Sequence, residues 1–215
     1  MSLFDLFKRA SDAPATAPPA TLDIPLFPLN TVLFPGGKLG LKIFEQRYLD
    51  MASDALREHS LFGICLITKG QEVGKGAACH RVGTLARINQ ADMEQLGILL
   101  TTCHGESRFR IREQRVEASG LQRAVVEILP EPTPAIPTAR DRLLPLLHKI
   151  VSDLGPEKMP EPHAFDDAAW VGYRLTEVLP IQNLAKQKLL ELANPLERLE
   201  ILERYLDQRG LLAKP

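Results

Sequence analysis

No stretch of this 215-residue sequence approaches the roughly 20 consecutive apolar residues that a membrane-spanning helix requires. The opening MSLFDLFKRA is too short and too quickly interrupted to be a signal peptide, so the expected location is the cytoplasm. Cysteine is scarce: Cys65, Cys79 and Cys103 form an odd set with no C-x-x-C spacing. That argues against a disulfide framework and predicts free thiols in a reducing compartment. An excess of one charge is also missing. With 26 Lys and Arg against 27 Asp and Glu, and a sequence pI near 6.5, nothing attracts the whole chain to nucleic acid or anionic lipid.

What is present is ordinary globular material, 45% hydrophobic and 25% charged, enough for one large or two small domains. Residues 1–21 read as a flexible leader, because Ser11 to Ala20 hold little besides Ala, Pro and Thr. Ahead of them Leu3, Phe4, Leu6 and Phe7 are preferred as a frayed tail over a docking peptide. From residue 22 to 129 the sequence alternates short β-rich runs with Gly and polar turns. Pro25, Pro28 and Pro35 lack the N–H of a ladder, which points to edge positions, strand starts or turns. Tyr48, Leu49, Ala52, Ala55 and Leu56 recur at helical spacing within Glu45 to His59, giving one apolar face to plug a sheet. Leu61 to Ile67 reads as a buried strand. In SRFRIRE, Phe109 and Ile111 are expected to point inward and Arg108, Arg110 and Arg112 outward, with an antiparallel return through LQRAVVEIL across Ser119-Gly120. Many short strands with one helix suggest a small, partly closed barrel.

Residues 130–138, with four prolines, read as a semi-rigid linker, and 139–215 as a helical subdomain. Helices are expected over Ala139 to Leu154, Phe165 to Leu179 and Ile181 to Ala193. A last one is capped by Asn194, started by Pro195 and closed by Gly210, with Leu196, Leu199, Leu202 and Leu206 as its buried stripe. The fold class is therefore α+β.

Catalytic chemistry is hard to find. KGQEVGKG (Lys69 to Gly76) is one residue short of a phosphate loop and has Gly76 where a Ser or Thr belongs, so it reads as a turn. Cys79-His80 and Cys103-His104 hint at zinc, but adjacent strand residues point to opposite faces, and no metal is expected. His59, His148 and His163 read as surface or helix-end residues. There is no G-x-S-x-G elbow, although a dispersed triad stays open. Arg108, Arg110 and Arg112 make the one basic stripe; a solvated sheet face is preferred over a phosphate track, since no aromatics interleave on it.

Taken in order, IPLFPLNTVLFPGGKLGLKIFEQRYLDM, FGICLI, EVGKGAACHRVGTLARI, GESRFRI and LPIQNLAKQKLLELANPLERLEILERYL resemble the Lon substrate-binding (Lon N-terminal) domain family, in its short stand-alone bacterial form. The resemblance covers about Leu22 to Leu206. It implies a PUA-like pseudo-barrel followed by a helical bundle. In full Lon proteases this region recognises substrate and aids assembly, while an ATPase module and a Ser-Lys protease domain do the chemistry; neither has a counterpart here. The expectation is a non-catalytic module, without cofactor, that binds unfolded polypeptide or a protein partner such as a separate protease. Phe34, Phe44 and Tyr48 are the candidates for apolar contacts, and Arg47 for an acidic or carbonyl group. The opening stretch is preferred as a structural knot over a direct binding element. The alternative is RNA binding through Arg108, Arg110 and Arg112.

Overall fold

The computed structural model describes residues 21–74, 76–137 and 140–212. Most of the leader expected at 1–21, including Leu3, Phe4, Leu6 and Phe7, lies outside the described residues. In chain order the elements are β1 (Thr21–Leu29), β2 (Lys38–Ile43), α1 (Gln46–Glu58), β3 (Phe62–Lys69), β4 (Ala78–Cys79), β5 (Val82–Gln95), β6 (Ile98–Val116) and β7 (Gln122–Ile128). The helices α2 (Leu143–Lys158), α3 (Ala168–Val178), α4 (Asn183–Glu191) and α5 (Pro195–Gln208) follow. The strands are antiparallel neighbours in the order β1-β7-β6-β5-β3, and β3 returns to β1 in parallel, which closes the barrel.

Closure explains how β1 tolerates two prolines. Thr21 to Leu26 pair with β7, and Leu26 to Leu29 pair with β3. Only Leu26 is paired on both sides. Pro25, opposite Arg123, and Pro28, opposite Cys65, each fall where the strand has a single neighbour, so one side of the backbone is open to take the position that lacks an N–H. The strand is thus an edge twice over rather than an edge throughout.

Inside one half of the barrel, Phe27, Leu41, Ile43, Phe62, Ala86 and Cys103 enclose Tyr48, Met51 and Ala52 of α1. The helix face is rotated slightly from the expected one: Met51 is buried and Leu56 is 37% exposed. His59 ends the helix in a left-handed conformation, φ 52°, its N–H donating to the Ala55 carbonyl. The other half of the core joins Ile24, Leu26, Leu85, Phe109, Ile111 and Val126. The β6–β7 hairpin turns through Gly120 at φ 82°, as the Ser119-Gly120 pair predicts.

The helices pack on one another through Leu143, Leu147, Val171, Leu175, Leu199, Leu202 and Leu206. Gly155, φ 71°, breaks the regular geometry of α2 just ahead of Pro156. Asn194 caps α5, its side-chain oxygen accepting from the Leu196 N–H at 3.0 Å. The span 130–137 is more than a spacer: Glu131 bonds across the barrel–helix boundary, and Ala135 bridges Asp167 at the start of α3.

Arg108 corrects the outward placement expected for it. It is 1% exposed, and beside Phe109 it faces the helices rather than water. Its Nη1 donates to the carbonyls of Leu190 and Leu192 at 2.7 and 2.8 Å, and its Nε is ion-paired with Glu131. Strand alternation separates inside from outside only where one face is wet, and here the second face of β6 is covered by α4 and its C-terminal loop.

Candidate functional site

Strand β2 extends the barrel wall. It pairs with β6 from Lys38 opposite His104 to Ile43 opposite Leu99, and has no second strand partner among the described residues. Such an edge leaves a row of backbone N–H and C=O groups free to take another strand. A pocket of about 280 Å³ runs beside it, lined by β2 itself and by Phe27, Leu29, Phe44, Tyr48, Glu72 and Val73. Tyr48 forms the floor, stacked on Phe27 with ring centroids 4.1 Å apart. Burial pushes the Tyr48 hydroxyl pKa up from its ordinary value. Phe44 and Val73, 49% and 54% exposed, form the rim.

Local chemistry fixes the rim. Glu45 accepts from the Gly74 N–H at 3.3 Å, tying the loop after β3 to the start of α1, and Glu72 accepts from the Asn30 N–H. The KGQEVGKG segment therefore serves as a turn that carries Glu72 and Val73 to the pocket. Arg47 is held elsewhere. Its Nη1 donates to the Gly120 carbonyl at 3.1 Å, its Nη2 meets Glu45 at 3.0 Å, and it faces a neighbouring polar cavity with Asp50 and Asp54.

The three apolar candidates and Arg47 thus separate. Phe44 and Tyr48 share the pocket; Arg47 does not line it. Phe34 is fully buried and packs on Tyr173 at 5.8 Å, in a cluster with Val82, Ala169 and Leu190. That corrects its placement as a contact residue. The Pro35-Gly36-Gly37 turn behind it is a docking knot: Arg174 donates to the Pro35 and Gly36 carbonyls at 2.7 Å each, and is paired with Glu177 at 3.1 Å. Sequence reasoning missed Arg174, Arg198 and Glu131, because each has a partner 25 to 139 residues away: the Pro35 and Gly36 carbonyls for Arg174, the Tyr173 ring for Arg198, and the Tyr173 hydroxyl for Glu131. Arg198, for example, lies over the Tyr173 ring at 4.1 Å.

The basic stripe is also dispersed. Arg108 is internal, and of the two exposed members Arg112 pairs with Glu127, so the three do not form one free basic row. The Cys-His pairs do not converge: Cys103 belongs to the barrel core, whereas Cys79 pairs opposite Ile67 on β4. Among the described residues no three His, Cys, Asp or Glu side chains are grouped to hold a metal ion, and no helix is long and apolar enough to cross a membrane.

Known proteins fit this architecture. A Lon N-terminal domain protein from Xanthomonas campestris, solved by crystallography, superimposes with a TM-score of 0.72 at 34% identity, over 86% of this chain and 98% of that one. A Lon protease of Anaeromyxobacter dehalogenans (strain 2CP-C) is 35% identical over 88 residues, 37% of this chain and 10% of that protein. Lon protease 2 of Myxococcus xanthus is 32% identical over 120 residues, 52% of this chain and 14% of that protein. The chain therefore spans a small part of the curated proteases that it matches. The family model described as the ATP-dependent protease La (LON) substrate-binding domain matches residues 23–208, and the chain belongs to that family.

Proposed function

We propose that this protein is a non-catalytic recognition module, working in the cytoplasm, that binds extended, unfolded polypeptide by strand addition along β2. The free edge of β2 running beside the Phe44–Tyr48 pocket carries this reading. An added strand makes main-chain hydrogen bonds that are indifferent to sequence, while alternate side chains fall into the adjoining pocket. That combination suits a substrate that is unfolded rather than defined by one motif. A partner protein presenting an extended segment, such as a separate protease, would use the same edge.

The test is a fluorescence anisotropy titration of a labelled unfolded polypeptide with RNA of equal length as competitor. Saturable binding that RNA does not displace supports the module. Absence of binding, or displacement by RNA, overturns it. Turnover of peptide substrates that persists through repurification would overturn its non-catalytic character.

A further inference from the structure

A second apolar surface lies among the C-terminal helices and shares no lining residue with the β2 pocket. Between α4 and α5 a groove of about 530 Å³ is floored by Leu189 and Leu202 and walled by Ala185, Leu192, Ile201 and Tyr205, with Lys188 and Glu191 at its rim. Its volume falls within the roughly 300–1,000 Å³ of built ligand pockets. Ile201 is 40% exposed there and Leu184, one residue from Ala185, is 55% exposed. A continuous apolar surface of this kind calls for a partner.

We propose that the chain's own N-terminal segment, Leu3 to Phe7, which from sequence alone reads as a frayed tail, instead seats in this groove. Three observations point to that occupant. The sequence Leu3-Phe4-Asp5-Leu6-Phe7 places four large apolar side chains at positions i, i+1, i+3 and i+4, the spacing of one helical face, with Asp5, Lys8 and Arg9 beside them as charges of both signs, matching a rim where Lys188 and Glu191 pair at 3.1 Å. Such a segment fits a groove between helices. The point where the chain enters the barrel is on the correct side. Thr21 pairs with Glu127, Ile128 pairs with Phe109, and the neighbouring Arg108 holds the carbonyls of Leu190 and Leu192 at the groove's end. The β2 pocket instead borders Phe27 and Leu29, at the far end of β1. Reach is sufficient, because residues 8–20, rich in Ala and Pro, span about 40 Å when extended at ~3.1 Å each. A tether of this length gives an effective concentration on the order of millimolar, so a weak intrinsic contact is enough to keep the groove filled.

The experiment uses the full chain with the photo-crosslinker p-benzoylphenylalanine in place of Phe4, and maps the products by mass spectrometry. Intramolecular crosslinks to residues within Ile181 to Tyr205 are expected. Ile201→Glu, a change at an exposed position that circular dichroism will show to be folded, is expected to lower their yield about tenfold by placing a charge in the apolar contact. Crosslinks to the β2 pocket, crosslinks solely between two copies, or a yield unchanged by Ile201→Glu would each overturn the proposal. None of these outcomes depends on whether the β2 edge binds polypeptide.

Discussion

Arg108 of β6 donates from Nη1 to the Leu190 carbonyl at 2.7 Å, across 82 positions of sequence. With Leu192 and Pro130 accepting from the same guanidinium and Glu131 paired to its Nε, one side chain bonds the barrel to the linker and to the end of α4. Arg108→Ala is expected to destabilise the fold by about 3–5 kcal/mol, since it orphans buried carbonyls and a carboxylate together. Arg108→Lys should recover little of this, because an ammonium cannot serve a forked set of acceptors. Arg110→Ala, at an exposed position of the same strand, should stay within about 0.5 kcal/mol. Urea denaturation checks all three.

Gly105 is a steric requirement of the docking knot. It accepts from the Gly36 N–H at 2.7 Å and donates to the Gly37 carbonyl at 2.9 Å, and a Cβ there would sit 2.1 Å from the Phe34 carbonyl oxygen. Gly105→Ala must push the turn away from β6. A loss of about 1–3 kcal/mol is expected in thermal or urea unfolding.

Phe44 and Tyr48 line one pocket but differ in burial, and their substitutions should behave differently. Phe44→Ala, at a half-exposed rim position, is expected to change stability by less than about 0.5 kcal/mol yet to weaken binding of unfolded polypeptide about tenfold. Tyr48→Ala removes a ring stacked in the core and should cost about 3–5 kcal/mol. Anisotropy titrations alongside urea melts separate the two effects.

Glu177 gives the barrel–helix boundary a pH dependence. Burial raises its carboxyl pKa above the usual value of 4.5, more than Arg174 and Lys186 lower it. The folded state then holds a proton that the unfolded chain releases. Its contribution is fully present below pH 4.5 and is lost as the pH rises through the elevated folded value. The Tm difference between wild type and Glu177→Gln should therefore move against the wild type across that window. A difference independent of pH from 4 to 7 would refute the assignment.

The three thiols should react in order. The Cys65 thiol, hydrogen-bonded to Cys79 and buried, is held well above its ordinary value, and the same bond lowers that of half-buried Cys79. Cys103 is raised by burial. Limited alkylation with iodoacetamide in native buffer is expected to label Cys79 first, with Cys65 and Cys103 reacting on unfolding. Peptide mapping reads the order directly.

By itself the sequence determined the elements and their order. Alternation in SRFRIRE, the Ser119-Gly120 turn, the helical face around Tyr48 and the caps at Asn194 and Gly210 are local signals, and each works through neighbours a few residues away. The same locality explains why Pro25 and Pro28 could be read as needing a one-sided strand before any partner was known. Tertiary structure alone decided which faces were wet. Whether Arg108 met solvent or the Leu190 carbonyl depended on a helix end 82 residues downstream. Whether Phe34 formed a contact surface or a buried anchor depended on Tyr173. Burial is a property of what covers a residue, and periodicity within one strand carries no record of a second layer.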